Sequence, residues 1–146
     1  MQESVVFANV LVPTDGSESA EEAAKLAVRL VRGTDATIHA LAVVDERFVV
    51  DEYDLAVEGA EREAETALDS VGDRGMAAGV DVVKHLRRGY PHEEILAAVD
   101  DYGADVVVMG TEGQTGVDRL LNLGSTAERV VRSAPVPVLT APSGTE

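Results

Sequence analysis

The 146-residue chain contains no cysteine. Disulfides, thiolate metal sites and cysteine nucleophiles are therefore excluded from the start. Apolar runs are only a few residues long, well short of the roughly 18 needed to cross a bilayer. The opening Met1-Gln2-Glu3-Ser4 has neither the basic flank nor the long apolar core of a secretory signal. Lysine is scarce, with Lys25 and Lys84 standing against ten arginines, and no basic cluster is longer than Arg87-Arg88. With 12 Lys and Arg against 27 Asp and Glu, the net charge is −15. Such a surface repels phosphate backbones and anionic lipid, so neither nucleic acid nor membrane is an expected partner. The expectation is a soluble, cytoplasmic protein.

Hydrophobic residues make up 45% of the chain and charged residues 27%, the balance of a globular protein. The length fits one domain, 1–146, with 143–146 as a frayed tail. Acidic excess, scarce lysine and abundant Ala and Val point to a halophilic protein adapted to concentrated salt. Its melting temperature should therefore climb across a KCl series; a flat response contradicts that expectation.

Two periodicities alternate along the chain. Ala8 to Pro13, Thr37 to Val44, Val80 to Leu86, Asp105 to Met109 and Val136 to Thr140 are short and rich in Val, Ile and Leu, as strands buried on both faces should be. Between them run helical stripes: Ala23, Leu26, Ala27, Leu30 and Val31; then Leu55, Ala60, Ala64, Ala67, Leu68 and Val71, weakened by Gly59. Ile95, Leu96 and Val99 form a third, with Pro91 suited to its first turn, and Ala127, Val130, Val131 and Ala134 a fourth. Alternating strands and helices predict an α/β, doubly wound, Rossmann-like domain with a parallel sheet and helices on both faces. The stretch from Asp45 to about Leu55 is expected to be a mobile flap.

Open sheets of this kind bind ligands beyond the carboxyl ends of their strands, where strand order reverses. The residues expected at that rim are Pro13-Thr14-Asp15-Gly16-Ser17, Val44-Asp45-Glu46 and Gly110-Thr111-Glu112-Gly113. Asp15, Ser17 and Ser19 could also simply cap the first helix, Ser19 with Glu22 as a capping box. Ser125 and Glu128 have the same spacing at the start of the fourth helix, whose first N–H groups need an acceptor and suit a phosphate. Neither a P-loop nor a dinucleotide fingerprint is present. Carboxylates at Asp15, Asp45, Glu46, Glu112 and Asp118 show no catalytic pairing, and His39, His85 and His92 read as packing or surface residues.

The chain resembles the universal stress protein family. The matching segments are Val10-Leu-Val-Pro-Thr-Asp-Gly-Ser17, Val43-Val-Asp45, Gly89-Tyr-Pro-His-Glu-Glu-Ile95, Ala104-Asp-Val-Val-Val-Met-Gly-Thr-Glu-Gly113, Gly124-Ser-Thr-Ala-Glu-Arg-Val-Val-Arg132 and Pro135-Val-Pro-Val-Leu139. The resemblance implies a five-stranded parallel sheet of order 3-2-1-4-5 with four helices. In one branch of the family it also implies ATP, ADP or AMP at the switch point; Mg²⁺, which prefers carboxylates plus phosphates, could accompany ATP, though no dedicated cage is visible in the sequence. Carried over by position, Gly110 and Gly113 would line phosphates and ribose, while Gly124, Ser125 and Thr126 would supply donors to the phosphates. Pro13, Thr14 and Asp15 would lie at the adenosine, Val43 would read the adenine edge, and Met109 would pack nearby. Replacing Gly110 or Gly124 with a bulky residue is then expected to abolish binding and leave the fold intact.

The resemblance further implies a homodimer through the final strand (Val136, Val138 and Leu139). The function it suggests is a stress-response or signalling module whose nucleotide alters its dimer state or its surface toward a further protein. A ligand-free dimeric interaction protein and a weak ATPase are the alternatives. Two features depart from the ATP-binding pattern. Ten residues rather than nine separate Gly113 from Gly124, and Glu112 and Gln114 add an anion and remove a cation, leaving Arg119 as the nearest basic residue.

Overall fold

The computed structural model describes residues 6–48, 55–112 and 124–143. Strands β1 (Asn9–Pro13), β2 (Thr37–Asp45), β3 (Asp81–Gly89), β4 (Val106–Gly110) and β5 (Val138–Ala141) form one parallel sheet in the order β3-β2-β1-β4-β5. Helices α1 (Glu18–Val31), α2 (Leu55–Ala78), α3 (Pro91–Tyr102) and α4 (Ser125–Ser133) connect them. The fold class, strand order and helix count are those expected. In the central strands Val10, Leu11, Val12, Val106, Val107 and Val108 are all fully buried, because helices cover both faces. Val10, Val12, Ile38 and Ala40 meet Ala23, Ala24 and Ala27 of α1 and Leu68 and Val71 of α2. Leu11, Leu41 and Val107 face the other way, onto Ile95, Ala98 and Val99 of α3 and Ala127 and Val130 of α4.

Several boundaries differ from expectation, each for a physical reason. β3 continues past Leu86 to Gly89, since its partner β2 extends to Asp45 and Asp45 pairs with Gly89. An edge strand tolerates Lys84, Arg87 and Arg88, because one side of it meets solvent. β5 starts at Val138 rather than Val136. Pro137 has no N–H to give the ladder, and only its carbonyl joins, accepting from Val107 N–H at 3.0 Å. α2 runs unbroken through Gly59 and on to Ala78. At Gly75 it lies so close to the sheet that a Cβ would strike the Val82 side chain. The expected flap begins as a short 3₁₀ turn, Glu46–Phe48, and its residues 49–54 lie outside the described residues. Of the expected tail, Ser143 N–H donates to the Glu112 carboxylate at 3.2 Å, and 144–146 lie outside the described residues.

The register of β2 and β3 brings His39 and His85 together, which strand periodicity alone did not reveal. His39 Nδ1 lies 3.0 Å from His85 Nε2, and His39 Nε2 lies 3.0 Å from Asn9 Oδ1. The Tyr102 ring stacks on His85 with centroids 3.8 Å apart. Burial holds both imidazoles below their ordinary range, and His85 is lowered further by His39 and Arg87. The unfolded chain therefore binds protons on these histidines before the folded one does. Their contribution to stability is complete above about pH 6.5 and is lost as pH falls through the lowered folded values. Urea midpoints should drop as pH falls below about 6.5, and a His39→Asn, His85→Asn double variant should flatten that drop. Asp45, held below the usual carboxylate range by Arg47, adds its own loss only under about pH 4.

Candidate functional site

β1 and β4 part at their carboxyl ends, where strand order reverses, and a cleft of about 500 Å³ opens there. Pro13, Thr14, Asp15, Val43, Met109, Gly110, Gly124, Ser125 and Thr126 all line it. Gly113 lies outside the described residues, as do Gln114, Asp118 and Arg119. The volume falls within the range usual for small-molecule and cofactor sites, about 300–1,000 Å³.

The turn after β1 is built from short polar side chains. Thr14 N–H donates to the Leu41 carbonyl at 2.8 Å, and Thr14 Oγ1 accepts from Gly16 N–H at 3.1 Å. Gly16 takes φ of +79°, a left-handed conformation that glycine adopts without steric cost. Asp15 Oδ1 accepts from Ser17 N–H at 2.9 Å, and Ser17 Oγ from Ala20 N–H at 3.3 Å. Ser17, not Ser19, is thus the N-cap of α1. Ser19 is buried and donates instead to the Glu112 carbonyl at 2.6 Å, tying α1 to the segment that leaves β4.

Val43 follows from ladder geometry. Leu41 gives its carbonyl to Thr14, the last backbone contact between β2 and the end of β1. Alternate residues of a parallel strand direct both backbone groups to the same neighbour. Two residues on, Val43 therefore turns its N–H and C=O toward a neighbour that has already ended. Among the described residues no backbone group takes up this donor and acceptor, which face the cleft.

On the opposite side, the N-cap of α4 is Gly124, with Ser125 as the first helical residue. The expected Ser125–Glu128 capping box is absent, because Ser125 sits one position too late to cap. Gly124 N–H is also not available to a ligand, since it donates to the Thr111 carbonyl at 2.6 Å. What remains is the first turn, Ser125, Thr126 and Ala127, whose N–H groups have no acceptor within the helix and no capping side chain among the described residues. Those amides, together with the positive end of the helix dipole, suit an anion.

Gly110 carries a correction as well. A Cβ there would meet Ser19 C at 2.7 Å and Ala20 N at 2.8 Å, in addition to the Ser19 hydroxyl. Its missing side chain admits the backbone of α1, so a bulky replacement strikes the fold before it reaches any ligand. Among the described lining residues, Arg47 is the single cation, set against Asp15, Asp45, Glu63 and Glu112. Asp15 is engaged by Ser17 N–H, and two more of these carboxylates have partners too. Asp45 binds Arg47, and Glu112 accepts from Thr111 Oγ1 at 2.7 Å and from Ser143 N–H. Among the described residues, no group of three or more His, Cys, Asp or Glu could hold a metal ion.

The model of the universal stress protein family matches residues 7–142, nearly the whole chain. The chain belongs to the universal stress protein family. A universal stress protein of Methanocaldococcus jannaschii, MJ0531, is 37% identical over 139 residues, covering 92% of this chain and 81% of the relative. The solved structure of MJ0577 from the same organism superposes with a TM-score of 0.86 at 30% identity, covering 97% of this chain and 100% of that one. A universal stress protein in complex with cAMP superposes with a TM-score of 0.73 at 25% identity, covering 94% of this chain and 99% of that one.

In this universal stress protein, sequence reading missed the walls of the cleft. Ala60, Glu63 and Ala64 of α2 form one, and Pro91 and Ile95 of α3 form the other, with Arg47 at the mouth. The helical stripes marked Ala60, Ala64 and Ile95 as apolar positions, but which of them border a cavity depends on how the helices cross the sheet ends.

Proposed function

We propose that the cleft binds an adenine nucleotide, ATP or its di- and monophosphate, and that the protein is a stress-response module read through that ligand. The observation that carries this reading is the pair of open backbone sites at opposite ends of one cleft. At the β2 end, Val43 offers N–H and C=O, the complement of the N1 acceptor and N6 donor on the adenine edge. At the α4 end, the first-turn amides of Ser125 and Thr126 offer donors for phosphate. Pro13, Thr14 and Asp15 would then face the ribose, with Met109 and Gly110 beneath and Gly124 beside the phosphate segment. The cAMP complex of a relative supports the same ligand class. Mg²⁺ accompanying ATP would be held by phosphate oxygens and water, with Asp15 as the adjacent carboxylate.

Thermal melting with and without ATP tests the reading. At 100 times its Kd, ATP should add about 2.7 kcal/mol, or roughly 5–11 °C for a chain of this length. An unchanged melting temperature at millimolar ATP counts against it, and a timed assay for ADP separates binding from slow turnover. The protein would act as a cytoplasmic homodimer, pairing the open edge of β5 with a second copy through Val136, Val138 and Leu139. A salt-rich interior would screen the acidic cleft, with a Debye length of about 3 Å in molar salt. Fixed amide donors would still hold phosphate there.

A further inference from the structure

Arg47 lies four residues beyond Val43, just after β2 ends at Asp45 and the chain turns through Glu46. Its guanidinium is clamped in a two-pronged contact with Asp45, Nε to Oδ1 at 3.0 Å and Nη2 to Oδ2 at 2.6 Å. The Arg47 N–H donates to Oδ1 as well, at 3.0 Å. Such a fork holds guanidinium and carboxylate as one rigid flat plate. Ala60 and Ala64, one helical turn apart on α2, line the same cleft. Small side chains at both positions leave a slot rather than a filled core. The open backbone of Val43 lies at the same end of the cleft. The phosphate-binding amides of α4 belong to the far side, since β1 separates β2 from β4, two strand spacings or about 10 Å.

We propose that the Arg47–Asp45 plate covers one face of the purine ring, with Ala60 and Ala64 against the other, making Arg47 a base-stacking and specificity residue rather than a phosphate contact. The proposal rests on the adenine-nucleotide reading and deepens it. A cation placed over an aromatic face is attracted by the π-system. The Asp45 carboxylate keeps the guanidinium from swinging toward the phosphates. The plate thereby places the cleft's single described cation at the base, and leaves phosphate to neutral amides.

Calorimetric titration of wild type and Arg47→Ala with ATP, and separately with adenosine, tests this. Arg47→Ala should weaken both ligands by the same factor, roughly 3- to 30-fold. Arg47→Lys should recover only part of the loss, because an ammonium lacks the plane. The Arg47 side chain is 54% exposed, so the unliganded variants should melt close to wild type. A loss confined to ATP would make Arg47 a phosphate contact and overturn the proposal. Unchanged affinity for both ligands, or full recovery by lysine, would overturn it too, while leaving the nucleotide reading in place. Wild type that binds neither ligand would end both.

Discussion

Gly110→Val should lower the stability of the unliganded protein by about 2–3 kcal/mol, seen as a fall of roughly 4–12 °C in melting temperature. Gly110→Ala should already move it in the same direction. The cause is the approach of α1: the position of a Cβ on Gly110 is taken by Ser19 C and Ala20 N, at 2.7 and 2.8 Å. Backbone atoms of a helix start cannot rotate away as the tip of a side chain can. α1 would have to shift as a body, and Ser19 would lose its bond to the Glu112 carbonyl. A wild-type melting temperature for Gly110→Ala, with ATP binding abolished, would return this glycine to the purely ligand-binding role that its motif suggests.

Thr126→Asp should separate stability from binding, moving them in opposite directions. Thr126 is the second residue of α4, in a first turn that no described side chain caps. A carboxylate there meets the positive end of the helix dipole, and should stabilise the protein by about 0.3–1 kcal/mol. The same carboxylate occupies the place proposed for phosphate and repels it. ATP affinity should fall about 10- to 100-fold, the effect of one like charge a few ångströms away in a partly screened site. Adenosine, which carries no phosphate, should bind as to wild type. Equal ATP affinity in the variant would remove the phosphates from the α4 terminus.

These two positions show what the sequence made legible and what it hid. β1 and β4 could be read directly, because runs such as Val10-Leu11-Val12 and Val106-Val107-Val108 are compatible only with burial on both faces. The rim residues could be read too, since strand ends in a parallel sheet share one side, and β1, β2 and β4 each end in residues of the motif. Caps were harder. Ser17 and Ser19 both offer a hydroxyl at the start of α1, and the choice between them depends on Ser19 being drawn toward Glu112, 93 residues away. At α4, Gly124 spends its N–H on Thr111, a partner no local pattern discloses. The glycine motif was visible, but what would strike a Cβ on Gly110 is a tertiary fact. So is the register that sets His39 against His85.

The central claim is that one cleft holds the base on the open backbone of Val43 and the phosphates on the first turn of α4. Amide NMR of the full chain titrated with ATP tests it most directly. The account predicts saturable shifts at Val43, Ser125, Thr126 and Ala127, with adenosine reproducing the first and leaving the other three nearly still. Saturable binding that leaves those four amides unmoved would contradict it.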